Sequence, residues 1–210
     1  MTLTLSIGGG WRSPEWHHRH RRRRASMEIM HVLMTEHRTI TRTLGLLERV
    51  GLSVLAGDAQ AVLDLASLLA FLRDFLEQGH CRREEAALFP LMEQCGMAWG
   101  SGPLKVLAAE HATGRRQLLQ MQSLLGELDR GEEDARDQIF LEIRSYRDQL
   151  MAHMRKEDQV IFPMLQRVLQ RVGSVRKVGC KAWVHEPSVP GGLPPARFEI
   201  LGWLEGRYGG

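Results

Sequence analysis

Between residues 27 and 172, apolar residues recur at alternating steps of three and four, the spacing of one face of an α-helix. The first stripe is Met30, Leu33, His37, Ile40, Leu44 and Leu47. The second runs Leu65, Leu69, Leu72, Leu76, His80, Glu84, Ala87, Leu91. The third runs Leu104, Leu107, His111, Gly114, Leu118, Met121, Leu125, Leu128. The fourth is Ile139, Ile143, Tyr146, Leu150, His153, Glu157, Val160, Met164 and Val168. The connections carry helix breakers: Gly57-Asp58, the stretch from Gly96 to Pro103, and Gly131. Four long stripes on short connections predict an all-α, antiparallel up-and-down four-helix bundle.

Each stripe is interrupted by polar residues where the face should be apolar. Burying an imidazole or a carboxylate costs several kcal/mol unless it is paired or bound to metal. A single interruption reads as a satisfied core histidine. Six of them over four stripes, His37, His80, Glu84, His111, His153 and Glu157, require a shared explanation.

The same residues mark an internal duplication. The first half reads Glu36-His37, then His80-x-x-x-Glu84, then Leu88-Phe89-Pro90; the second reads Glu110-His111, then His153-x-x-x-Glu157, then Ile161-Phe162-Pro163. Histidine-to-histidine spacing is 43 residues in one half and 42 in the other. Two hairpins related by a pseudo-twofold axis would gather these groups at the bundle centre. Residues four apart on a helix share a face, so each His–Glu pair can reach one ion or two adjacent ones. Imidazole and carboxylate donors suit iron, manganese or zinc, and no thiolate is expected in position for a soft site. Two carboxylates bridging two ions, with two histidines on each ion, give four protein ligands per ion. An oxo or hydroxo bridge makes five and leaves a position open. Two glutamates facing each other without metal would repel.

Over about residues 28–170 these motifs resemble the hemerythrin-like, HHE cation-binding family. Either His-x-x-x-Glu alone is weak; the pair, each followed by Phe-Pro, is specific. The resemblance implies a non-heme di-iron centre with an oxygen bridge, held by His37, His80, Glu84, His111, His153 and Glu157. Oxygen-carrying members have a further histidine four residues after the third-helix histidine, where this chain has Arg115 beside Gly114. They also use an aspartate five residues after the last histidine, so Asp158 rivals Glu157; Glu157 is favoured because it repeats Glu84. The implied role is a protein that senses, stores or reacts with O2, NO, peroxide or iron. The alternative is a di-iron oxidase, peroxidase or iron-cluster repair enzyme. A reversible oxygen carrier ranks below both, and no fused electron-donor motif argues for a dedicated enzyme.

The remaining candidates have plainer readings. His31 is expected on the surface, Cys81 off the stripe as an ordinary thiol, Tyr146 in the core, Arg115 in solvent, and the methionines in the core or at its boundary. The net charge of +3 is uneven: residues 1–26 carry six arginines against one glutamate, including the run WHHRHRRRR, while the middle is acidic. The basic balance therefore belongs to the ends, and nucleic-acid binding is not expected. Residues 1–26 are expected to be a flexible extension ahead of a natural start at Met27. Residues 173–210, with eight glycines and four prolines, are expected to form a flexible tail. No apolar run nears the roughly 18 residues of a membrane span, and no leader pattern follows the arginines. A cytoplasmic protein is the expectation; three cysteines without metal-type spacing do not suggest a disulfide scaffold.

Overall fold

A computed structural model of the chain describes residues 14–97, 102–171 and 195–209. Every element within them is helical: α1 (Pro14–Leu55), α2 (Ala59–Leu72), α3 (Phe89–Gln94), α4 (Gly102–Asp129), α5 (Ala135–Lys156), α6 (Phe162–Arg171) and α7 (Pro195–Tyr208). Three π-helical segments, Arg73–Cys81, Glu84–Leu88 and Glu157–Ile161, join α2 to α3 and α5 to α6. Helix α1 packs on α2 and α5, and α4 packs on α5 and α2. No helix among the described residues is long and apolar enough to cross a membrane.

The turns form where the breakers stand. Gly131 has φ 88°, a left-handed conformation that lets the Glu132 amide donate back to the Glu127 carbonyl and close α4. Asp58 caps α2, its carboxylate accepting from the Gln60 amide at 2.9 Å. Gly51 serves close approach: a Cβ there would lie 2.7 Å from Ile143 Cδ1 on α5.

Two apolar clusters make the core. One contains Ile40, Leu44, Leu118, Ile143 and Leu150; the other contains Leu33, Leu88, Leu107, Phe162 and Leu165. Along each stripe the interrupting His and Glu residues fall between the two clusters. The polar residues are thus a single layer with packed hydrocarbon above and below.

Three expectations need correction. First, the fourth stripe slips. Val160 is 55% exposed, while Ile161, Phe162 and Leu165 are buried. The cause is Pro163. Its ring excludes the carbonyl four residues back, and the Phe162 amide reaches five back to Glu157, so one extra residue enters the turn. Pro90 acts the same way, with the Phe89 amide donating to the Glu84 carbonyl. Second, α1 begins at Pro14, so residues 14–26 are helical and continuous with the first bundle helix. Pro suits a first helical position, and arginine, a good helix former, lets a helix anchored by the bundle propagate backward. Residues 1–13 lie outside the described residues. Third, the tail is not wholly loose. In α7, Leu201 and Leu204 are buried in the first cluster, and Phe198 meets the rings of Phe71 and Phe75 edge-on at 5.7 and 5.5 Å. Tyr208 donates to Asp64 at 2.6 Å, and Glu205 pairs with Arg42. The Gly/Pro-rich stretch ahead of α7, residues 172–194, lies outside the described residues.

Candidate metal centre

All six residues singled out from the stripes are buried, and the structure brings them together in one layer. The imidazoles form two close pairs, with centroids 4.9 Å apart for His37 and His80 and 5.0 Å for His111 and His153. Each glutamate reaches one ring of each pair. Glu84 Oε1 lies 3.1 Å from His80 Nε2, and its Oε2 lies 3.0 Å from His111 Nε2. Glu157 Oε2 lies 3.3 Å from the Nε2 atoms of both His37 and His153.

None of these contacts has hydrogen-bond geometry. The Nε2 atoms of all four histidines and both carboxylate oxygens of Glu84 and Glu157 are buried without a hydrogen-bond partner among the described residues. Eight unsatisfied polar atoms would be a large penalty in a native core. Lone pairs that face a common point, and not one another, are the arrangement a bound cation requires.

The opposite edge of every imidazole is fully engaged. Nδ1 of His37 meets Asp158 at 2.9 Å, Nδ1 of His80 meets Glu36 at 2.9 Å, Nδ1 of His111 meets Glu85 at 2.9 Å, and Nδ1 of His153 meets Glu110 at 2.8 Å. A ring that donates its Nδ1 proton to a carboxylate presents Nε2 as a free lone pair, fixed in direction and made more basic. Three of these acids are held in turn by cations: Arg83 on Glu36, Arg115 on Glu85 at 2.5 Å, and Lys156 on Glu110. Phe162 stacks on His37 at 5.8 Å and Phe89 on His111 at 5.6 Å, locking both ring planes.

Helix geometry explains these partnerships. Glu36 and Glu110 each precede a histidine, and a step of one residue turns the side chain about 100° toward the neighbouring helix. Glu85 and Asp158 each follow a buried glutamate and turn outward in the same way. These acids carry the pseudo-twofold: Glu36 and Glu110 serve the histidine of their own half, while Glu85 and Asp158 serve the other half. Asp158, a rival for the inward position, is therefore engaged at the outer edge of His37, and Glu157 points inward.

Electrostatics of the metal-free layer follow from burial. Burial alone would lower the pKa of His80, but the charge on Glu84 and the hydrogen bond to Glu36 overcome it and hold it well above the ordinary value. Glu84 would be raised by burial, yet His80 and His111 hold it well below the usual carboxylate range. Glu157 is raised, first by burial and then by the charge of Glu84 facing it.

Cys81 does not point away from the site. It is buried, and its Sγ lies within 4.8 Å of ligand-type atoms of Glu84 and His111. It is the last residue of the π-helical segment Arg73–Cys81, in which His80 is buried as well. Burial raises its pKa, so it sits there as a thiol. Glu77 is also buried on this flank, paired with Arg115 Nε at 2.8 Å. Arg115 is accordingly a partner of two carboxylates and not a free solvated side chain. Glu36, Glu85, Glu110 and Glu77 had no role in the sequence reading. For the first three the available signal was an acid adjacent to each ligand-type residue, repeated in both halves.

Comparison with known proteins places this site in a family. The hemerythrin HHE cation-binding domain matches residues 28–165. Uncharacterised proteins of Mycobacterium bovis (Mb2018) and Mycobacterium tuberculosis (Rv1995) are each 30% identical over 141 residues, covering 67% of this chain. The match spans 54% of each relative, so the chain covers about half the length of the curated relatives it matches. No solved structure matches the chain. The doubled His-x-x-x-Glu motif, the buried imidazole–carboxylate layer and the span of the match agree: the chain belongs to the hemerythrin HHE cation-binding domain family.

Proposed function

We propose that this protein binds two iron ions in the buried layer and uses them to sense, store or react with O2, NO, peroxide or iron itself. His37 and His80 would hold one ion, His111 and His153 the other, and Glu84 and Glu157 would each bridge both. The carrying observation is the set of four imidazoles whose Nε2 atoms lack partners while every Nδ1 atom meets a carboxylate. Bound iron would supply a redox-active centre with a coordination position for a small molecule. The chain supplies orientation: outer carboxylates fix the imidazole tautomers, Phe89 and Phe162 fix ring planes, and the two apolar clusters exclude bulk water.

The reading includes an antiparallel up-and-down arrangement of the four long helices. Support comes from cross-helix contacts. Arg136, at the start of α5, donates to the Val54 carbonyl at the end of α1, while Asp158, past the end of α5, meets His37 nearer the start of α1. Gln117 meets Ser145, and Glu110 meets His153, which supports the same opposed sense for α4 and α5.

The runner-up is an enzyme class, a di-iron oxidase, peroxidase or iron-cluster repair protein. The polar flank of Cys81, Glu77 and Tyr146 favours redox chemistry over reversible carriage, which calls for a closed apolar pocket. Anaerobic iron loading, iron quantitation, and optical spectra after O2, NO and peroxide in turn test both readings. Fewer than two irons per chain would overturn the site. A stable oxygenated species that releases oxygen under vacuum would restore the carrier.

A further inference from the structure

The duplication makes the two poles of the layer comparable position by position. Beside His37 the equivalent positions are apolar: Ile40, Leu76 and Leu150, all buried. Beside His111 they are Gly114, Gln149 and Glu77. A symmetric metal cradle does not need this difference.

At this pole polar atoms converge on a space left by a missing side chain. A Cβ on Gly114 would lie 3.6 Å from Glu77 Oε1, 3.7 Å from Gln149 Oε1 and 3.7 Å from the Tyr146 ring. Gln149 uses its amide nitrogen on the Glu110 carbonyl at 3.2 Å, which leaves Oε1 without a partner among the described residues. Tyr146 is completely buried, and its hydroxyl has no hydrogen-bond partner among the described residues. Glu77 is anchored through its other oxygen by Arg115. Two acceptor oxygens and the Tyr146 ring border the space beside Gly114, and the hydroxyl on that ring is itself unpartnered, so a small ligand that carries protons can answer these groups. Azide, O2 and NO bring no proton; water and hydrogen peroxide bring two.

We propose that Glu77, Gly114, Tyr146 and Gln149 form a subsite on the His111 flank for a proton-bearing ligand of one or two heavy atoms, occupied by water at rest and able to accept hydrogen peroxide. Its role toward iron rests on the metal-binding reading; its occupancy by water does not. Tyr146, Gln149 and Glu77 are positioning residues, and Gly114 supplies the space.

The test uses the full chain and two variants. Gly114→Ala places a methyl at ordinary contact distance, so it fills the space without disrupting the fold, and Tyr146→Phe removes one hydroxyl. Crystal structures should show ordered solvent bridging Tyr146 and Gln149 or Glu77 in the parent and none in Gly114→Ala. In the diferric protein, both variants should weaken hydrogen peroxide binding about tenfold, read from charge-transfer bands on rapid mixing, and weaken azide by less than about twofold. A dry parent pocket overturns the proposal, as does equal weakening of both ligands. A phenolate-to-iron band lost in Tyr146→Phe would make Tyr146 a ligand and overturn it too. Solvent in the pocket of a chain that fails to load iron would sustain the subsite while refuting the metal reading.

Discussion

Glu157 and Asp158 are neighbours in sequence and opposites in the site, so substituting each in turn separates an inward ligand from an outward support. Glu157 is fully buried and faces an imidazole of each pair, whereas Asp158 is 36% exposed and touches His37 only at Nδ1. Asp158→Ala removes a hydrogen bond that orients one ring. Such supports change metal affinity by about 10–100-fold, or about 1.4–2.7 kcal/mol, and two irons should still load at saturating iron. On the proposed reading Glu157→Ala would remove a donor shared by both ions, and loading should fall to one iron or fewer. The isosteric Glu157→Gln adds a sign test. Without metal, Glu157 is already pushed toward its neutral form by burial and by Glu84. Replacing it with an uncharged amide should stabilise the metal-free protein by on the order of 1 kcal/mol while weakening iron binding. Iron per chain by elemental analysis and thermal melts of the chelated protein measure the two effects. Two irons retained in Glu157→Ala with loss in Asp158→Ala would reverse the assignment. A metal-free Glu157→Gln that melts below the parent would refute the repulsion argument.

Gly114→Ala should lower the melting temperature of the metal-free protein, because displacing the bridging water leaves buried polar groups unpaired at about 1–3 kcal/mol, more than the roughly 0.5–1 kcal/mol that Ala gains in a helix interior, while its Cβ clashes with nothing; calorimetry giving a higher melting temperature would show that no such water is held there. Leu204→Ala should cost about 2–5 kcal/mol in denaturant melts, because Leu204 is fully buried, yet leave two irons per chain; loss of iron would place α7 in the site's support. Residues 27–172 alone should still bind iron but melt below the full chain, a comparison that measures what α7 and the first turns of α1 contribute together. Pro163→Ala should restore an ordinary helical turn after Glu157, rotate that carboxylate and weaken iron binding about tenfold; unchanged affinity would make the π-helical segment incidental.

How much was legible follows from where each feature leaves its mark. A residue that faces the core repeats with the helix period, so the stripes and all six inward residues could be read by their interruptions. The outer acids sit one position off the stripe, where a charged residue is the ordinary solvent-facing case; Glu36 and Glu110 stood in the repeat without a visible task. Pro90 and Pro163 were visible as punctuation, but their effect is to add a residue to a turn. That rotates everything beyond it, which is why Val160 and Ile161 exchange places. Helix α7 was hidden by composition. Gly202 and Gly206 interrupt it, and its four anchoring residues, Phe198, Leu201, Leu204 and Tyr208, span little more than three turns. Cys81 sits one position off the stripe, where the helix period gives no sign of burial, yet it is buried at the end of the π-helical segment Arg73–Cys81.

The position of the polar layer has an energetic consequence for the protein as a whole. Its six inward residues contribute no hydrophobic stabilisation, and without metal their lone pairs are unanswered. Stability of the metal-free chain must come from the clusters on either side and from α7 against the first of them. Ions that bind only the folded layer would add RT ln(1 + [L]/Kd), about 4 kcal/mol at a thousandfold excess over Kd, comparable to a large share of a typical domain's stability. The symmetric parts of the duplication, four imidazoles, their outer acids and two glutamates, would then set how much of this chain stays folded at a given iron supply. The asymmetric parts, Gly114 with Glu77, Tyr146 and Gln149 against Ile40 with Leu76 and Leu150, would be left free to determine which molecule meets bound ions. Retention and selection can therefore be altered separately: a substitution at an outer acid should move metal affinity at both poles' expense, and one at the Gly114 flank should move ligand preference with metal content unchanged.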